Sequence, residues 1–181
     1  TGRPDLALIV SEGDAAAAGM FTTNRITGAP VKLSREYIKR ANARAIIANS
    51  GNANVCNGVD GDTAARTMTC EAAKLICCQP EEVLVASTGG IGRPFPIEKV
   101  VGGIPEAFRN LSTDGGSDAA RAIMTTDTVP KETAVEVEIG GVPVRIGATA
   151  KGSGMINPNM ATMFCFITTD ADIRPGALST A

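Results

Sequence analysis

The sequence predicts a layered α/β or α+β domain, and three observations carry the prediction. Short apolar runs of strand length alternate with stretches whose apolar residues recur at helical spacing. Clusters of Gly, Pro and Asn mark the boundaries between them. One later segment alternates apolar and charged residues around a Gly-Gly pair, as a hairpin does. Strands mixed with helices in this order must bury their apolar faces on one another, which gives layers.

Taken in order, residues 5–10 (Asp-Leu-Ala-Leu-Ile-Val) read as a buried strand, and residues 18–22 as a candidate second. Ser34 is placed to cap a short helix running through Ala41. Residues 43–48 form the next apolar run and lead into a loop rich in Asn and Gly. The clearest helix starts near Asp62, with Ala65, Met68, Ala72, Leu75 and Ile76 on one face and Pro80 as its stop. Residues 83–87 follow as a strand opening into Gly89-Gly90-Ile-Gly92. A helix over residues 96–108 is weakened by Gly102 and Gly103, and another begins at Ser117 and reaches Met124. Val135, Val137 and Ile139 alternate with Glu136 and Glu138 before Gly140-Gly141, which predicts a hairpin with one wet face. The final strand is expected to begin at Thr162. There is no internal repeat, low-complexity tract or clear linker, and 181 residues suffice for one sizeable core.

Composition narrows the function classes. A net charge of -2 without a basic block argues against a nucleic-acid partner, and 3% aromatics leave little for stacking on bases or sugars. The apolar runs are too short for a membrane-spanning helix, so no membrane partner is expected. The opening Thr1-Gly-Arg-Pro-Asp does not read as a signal peptide, nor does it carry an initiator methionine. Cys56, Cys70, Cys77, Cys78 and Cys165 have no metal-ligand spacing and form no even disulfide set. Reduced thiols in a cytoplasmic protein, with no metal, are the expectation.

The chain has no histidine, so nucleophilic chemistry needs another base. Thr162 closes the run Lys151-Gly-Ser-Gly-Met-Ile-Asn-Pro-Asn-Met-Ala-Thr162, just ahead of the apolar residues 163–167. An isolated threonine here would be an ordinary β-branched opening of a strand. Preceded by a small alanine and a glycine-rich loop, it also suits a nucleophile able to free its own amine. Such an amine, with an ordinary pKa of about 8, lies closer to neutrality than lysine. Thr88-Gly89 at the end of a strand offers an oxyanion hole, because a glycine N–H can approach an oxyanion closely; one donor is worth about 3–4 kcal/mol. The bland alternative is a plain glycine turn. Gly89-Gly90-Ile-Gly92 lacks the Gly-Lys-Ser/Thr ending of a phosphate loop. Asp127 has no histidine to orient, so a triad role fails. Asn49-Ser-Gly-Asn-Ala-Asn54 suits a tight hydrogen-bonded loop, read chiefly as structural support. Glu36, Glu71, Glu81 and Glu82 read as helix-surface charge.

The Lys151–Thr162 run resembles the cleavage-and-nucleophile motif of the ornithine acetyltransferase family, the bifunctional acetyltransferases of arginine biosynthesis. Asn49-Ser-Gly-Asn-Ala-Asn54, Ser87-Thr-Gly-Gly-Ile-Gly92 and Ile123-Met-Thr-Thr-Asp-Thr128 resemble further family motifs in the family's order, from about Asp5 to Asp170. The resemblance implies a sandwich with sheets packed between helices, assembled from both products of self-cleavage between Ala161 and Thr162. Residues 1–161 would then be the alpha-chain portion and residues 162–181 the start of the beta chain, with a short leading segment and a large C-terminal portion lying beyond this sequence.

By the same resemblance Thr162 is the nucleophile and a substrate contact, and Thr88 (hydroxyl) and Gly89 (N–H) form the oxyanion hole. Thr125 and Lys151 bind substrate, Lys151 as a point charge against a carboxylate. Taken by composition alone, Lys151 is a solvated lysine, and Thr125 a residue of a helix C-terminal turn. Gly90 stands where relatives often carry an aliphatic residue. The implied activity moves acetyl from N-acetylornithine to glutamate through a threonyl ester. It needs no cofactor, although some members also use acetyl-CoA as a co-substrate. The implied assembly is a heterotetramer of two alpha and two beta chains. Two rivals stand beside it: a self-processing threonine aminopeptidase or amidohydrolase, and an inactive fragment that only assembles with its partner chain.

Overall fold

Strand β1 (Leu6–Ala16) pairs antiparallel with β2 (Asn42–Asn49), and β2 pairs parallel with β3 (Val83–Ser87). This is the first of two three-stranded sheets in the computed structural model, which describes residues 2–153, 160 and 162–181. The second is an antiparallel meander of β4 (Lys131–Ile139), β5 (Val142–Lys151) and β6 (Phe164–Thr169). Helices α1 (Ala29–Tyr37), α2 (Gly58–Ile76), α3 (Ile97–Arg109) and α4 (Gly116–Ala122) join the strands, and a single turn, α5 (Pro175–Leu178), lies near the end. The mixed α/β class and its layering follow the expectation from sequence.

The first sheet is covered on both faces, which is why residues 45–48 of β2 are apolar without alternation. On one face Leu8, Ala45, Ile47, Val83 and Val85 pack against Leu33 and Tyr37 of α1, Ala65, Met68 and Ala72 of α2, and Val100 and Ile104 of α3. On the other, small residues (Ala7, Ala48, Ala86) let α4 and Ile123 approach closely, and Phe166 of β6 joins them. Each fully buried large side chain in this core, such as Ile47 or Met68, contributes roughly 1.5–3 kcal/mol.

Five elements depart from the sequence reading. Residues 18–22 form no strand: β2 has its two edges taken by β1 and β3, and β1 itself runs on to Ala16 past a register shift between Val10 and Ala15. Ser34 does not cap a helix. The helix opens earlier, at extended Gly28 with Pro30 in its first turn, and Ser34 lies inside it. Its buried hydroxyl donates to the Val85 carbonyl and accepts from the Val85 N–H, both at 2.8 Å. Helix α2 starts at Gly58, before Asp62, and stops at a left-handed Cys77 (φ 61°), where the Cys78 N–H reaches the Ala73 carbonyl. The last strand begins at Phe164, two residues after Thr162. The hairpin turns at Gly140 and Gly141, both with positive φ, as expected; β4 is exposed on both faces, so Val135, Val137 and Ile139 do not face a core.

Candidate active site

Parallel β2 and β3 end side by side at Asn49 and Ser87, which are register partners. The loops that follow continue the pairing. The Thr88 N–H donates to the Asn49 carbonyl (3.0 Å), Gly90 N–H to Gly51 (3.2 Å), and Ala53 N–H to Gly90 (3.0 Å). Asn49 Nδ2 closes its own loop on the Asn52 carbonyl at 2.9 Å. Loops at the carboxyl ends of parallel strands are where open α/β sheets bind ligands.

Gly89 is required here twice over. Its φ of +132° disfavours any side chain, and a Cβ would lie 2.3 Å from the Gly51 carbonyl carbon and 2.6 Å from the Asn52 nitrogen. The two loops therefore touch backbone to backbone. The N–H groups on either side, of Thr88 and Gly90, are spent on the neighbouring loop; that of Gly89 has no acceptor among the described residues. Three of the four buried side-chain polar atoms without a partner among the described residues also lie at this junction: Asn49 Oδ1, Asn52 Nδ2 and Ser87 Oγ. Such groups are costly and uncommon, which sets the junction apart from the rest of the sheet.

Lys151 ends β5 and is 3% exposed, so it is not the solvated lysine that composition alone favours. Its ammonium donates to Thr88 Oγ1 at 3.0 Å and to the Thr162 carbonyl at 3.1 Å. An ammonium is a donor only, so Thr88 Oγ1 accepts and keeps its own proton to donate elsewhere. Burial pushes the Lys151 pKa below its ordinary value; Asp127 opposes that shift and Lys131 adds to it. Phe164, the register partner of Lys151 across β5 and β6, sets its ring centroid 6.0 Å from the ammonium.

Thr162 is half-buried in the turn before β6, and its backbone is held by Lys151. Ala161, its partner in the expected cleavage site, lies outside the described residues. Thr125 sits just past the end of α4, and its N–H donates to Asp127 Oδ2 at 3.2 Å. Of the residues singled out from sequence, Thr88, Lys151 and Thr162 are thus joined by one ammonium. Gly89 is next in chain, and Thr125 is tied in through Asp127.

Asp127 is the residue that sequence reasoning set aside. Its side chain is 1% exposed, yet it takes hydrogen bonds from Lys131 Nζ (2.6 Å), the Gly152 N–H (2.8 Å) and the Thr125 N–H. Burial alone would raise its pKa, but these three donors outweigh burial and hold the carboxyl well below the usual carboxylate range. The available signal was an acid four residues before a lysine, in a turn otherwise made of threonines.

Two hollows occur elsewhere. One of about 280 Å³ lies between α1 and the start of α2, around Lys32, Asn54 and Gly61; another of about 450 Å³ lies under the second sheet, around Ile9, Ala148 and Phe166. Neither is lined by Thr88, Gly89, Lys151 or Thr162. Among the described residues no helix is long and apolar enough to cross a membrane.

The expected resemblance is matched by comparison with known proteins. A family model described as the ArgJ family covers residues 1–181. The arginine biosynthesis bifunctional protein ArgJ of Symbiobacterium thermophilum is 52% identical over 180 residues, 99% of this chain and 45% of that protein. The glutamate N-acetyltransferase of Methanocaldococcus jannaschii is also 52% identical, over 98% of this chain and 45% of its own length. The chain therefore spans less than half the length of these relatives. Among solved structures, ArgJ from Bacillus halodurans superposes with a TM-score of 0.80 at 39% identity, covering 88% of this chain and 84% of that one. Ornithine acetyltransferase from Mycobacterium tuberculosis, complexed with ornithine, gives 0.78 at 35% identity, covering 87% and 84%. With a whole-length family match and relatives at half identity on the same fold, the chain belongs to the ArgJ family.

Proposed function

We propose that this chain is the N-terminal part of an acyltransferase that moves an acetyl group from N-acetylornithine to glutamate, in arginine biosynthesis in the cytoplasm. The observation that carries the reading is the Lys151 ammonium, within hydrogen-bond reach of both Thr88 Oγ1 and the Thr162 carbonyl. It ties the backbone bearing the nucleophile to the loop bearing the oxyanion donors. The family match and the relatives' names support the reaction class.

The first step is self-cleavage. The Thr162 hydroxyl attacks the Ala161 carbonyl, the C–N bond breaks, and the acyl group moves from nitrogen to oxygen. Water then hydrolyses the ester, leaving residues 1–161 as one chain and Thr162 as the amino terminus of the other. The new α-amine takes the hydroxyl proton as general base. In turnover the hydroxyl attacks the acetyl carbonyl of N-acetylornithine, and the Thr88 hydroxyl and Gly89 N–H donate to the oxyanion. Collapse expels ornithine, which leaves with the proton, and acetyl remains as a threonyl ester. The glutamate amine attacks that ester and departs as N-acetylglutamate, returning the proton to Thr162. Thr125 and Lys151 hold substrate, Lys151 as the cation facing a carboxylate. No cofactor or metal enters the cycle; acetyl-CoA is an alternative acetyl donor. The two chains assemble as a heterotetramer.

The test is acetyl exchange by the full-length protein between isotopically labelled N-acetylornithine and glutamate. Labelled N-acetylglutamate is expected; its absence with processed, folded protein rejects the reading.

A further inference from the structure

We propose that Asp127 is a positioning residue for acyl transfer: by gripping the Gly152 N–H it sets Lys151 where one ammonium reaches both Thr88 and Thr162. The inference rests on the reaction proposed above and adds a residue that the reaction itself does not use.

Asp127 gathers three separate stretches of chain. Thr125 belongs to the turn after α4, Lys131 opens β4, and Gly152 is the first residue beyond β5. Oδ1 accepts from Lys131 and Gly152, and Oδ2 from Thr125. The Gly152 nitrogen is in the peptide plane that carries the Lys151 carbonyl, so the grip fixes the backbone from which the Lys151 side chain departs. Gly152 has a φ of +143°, a conformation other residues rarely adopt, which lets the chain turn into the carboxylate directly after the strand. Lys151 then spans 63 positions in sequence to reach Thr88.

The arrangement also places a negative charge behind a buried cation. Asp127 and Lys131 are the charged groups acting on Lys151 among the described residues, and they act in opposite senses. The Asp127 charge acts on Lys151 whatever its structural role, so the titration of Lys151 reports their proximity and the rate of the chemical step reports the positioning.

The experiment compares the full-length protein with its Asp127→Asn variant, measuring acetyl exchange against pH. Asn keeps an oxygen for Gly152 but loses the charge and one acceptor. The expected result is a kcat lower by about 100-fold with KM changed by less than about threefold, because positioning acts on the transition state more than on binding. The alkaline limb of kcat/KM is expected to move to lower pH, since Lys151 loses the charge that favours its protonated form. An unchanged limb and a kcat within about threefold overturn the inference while leaving the reaction standing. No exchange by the wild-type protein overturns the reaction and this inference with it. Should Asp127→Asn fail to fold, Asp127→Glu decides: it keeps the charge but shifts the carboxylate by one methylene, so kcat is expected to fall by about tenfold, and a wild-type kcat overturns the inference.

Discussion

Lys151 Nζ lies 3.0 Å from Thr88 Oγ1, and neither residue is more than 5% exposed. This contact joins the end of the first sheet to the end of the second. It forces the threonine to act as acceptor toward the lysine, and so to present its hydroxyl proton in another direction. The predictions below follow from that junction.

Replacing Lys151 with Met should separate stability from activity. The ammonium is buried and its pKa is held down, so below the ordinary lysine value it opposes folding. The melting temperature of Lys151→Met is therefore expected to match or exceed wild type. Acetyl exchange is expected to fall by about 100-fold or more, because the Thr88 hydroxyl loses its fixed orientation. A calorimetric scan beside an exchange assay checks both; a variant that is both active and less stable contradicts the account.

Gly89 and Gly90 should respond in opposite ways. Alanine at Gly89 meets the Gly51 backbone at 2.3 Å with φ in the glycine region, and is expected to cost about 2–4 kcal/mol along with exchange activity. At Gly90 the nearest atom to a new Cβ is the Gly51 oxygen at 3.8 Å, an ordinary contact, and Gly90→Ala should behave like wild type. Urea midpoints of the two variants give the comparison. Equal losses at both sites would mean that the close approach of the loops is unimportant.

Thr162→Ala should remain one uncut chain by denaturing intact mass, since no hydroxyl can begin the acyl shift. Thr162→Ser keeps a hydroxyl and should process, more slowly. Wild type should yield a fragment that begins Thr162-Met163-Phe164 on N-terminal sequencing. Cleavage in Thr162→Ala would assign the chemistry to another group.

Acid should weaken the fold partly through Asp127. Its carboxyl is held below the usual range in the folded chain, so its stabilisation is complete above the unfolded value of about 4. It is lost as pH falls from there toward the folded value. Between pH 6 and pH 3 the drop in urea midpoint should be larger for wild type than for Asp127→Asn. Parallel curves for the two proteins would remove Asp127 from the account of acid sensitivity.

Much of the fold was legible because local pattern and burial agree. Residues 83–87 are an apolar run closed by glycine and form β3 with those bounds. Where they conflict, the pattern misleads. Gly102 and Gly103 weaken the helix expected over residues 96–108, yet it forms over Ile97–Arg109 because Val100 and Ile104 bury one face. Ser34 has the chemistry of a cap and is instead drawn to a strand 51 residues away. No local signal carries that information, although Pro30 in the first turn marks where the helix starts. At the site, Thr88, Gly89 and Lys151 were visible as motif residues. Asp127 was set aside for want of a histidine, since sequence does not show that its partners are backbone amides and Lys131.

The Ser34 hydroxyl has one more consequence. β3 is the outer strand of its sheet, and Val85 is its midpoint. Because Ser34 both gives to and takes from Val85, the amide and carbonyl that would recruit a fourth strand are already occupied. A helix side chain thus stands in for a neighbouring strand at the centre of this edge, and a second molecule finds no free amide or carbonyl at Val85 to pair with.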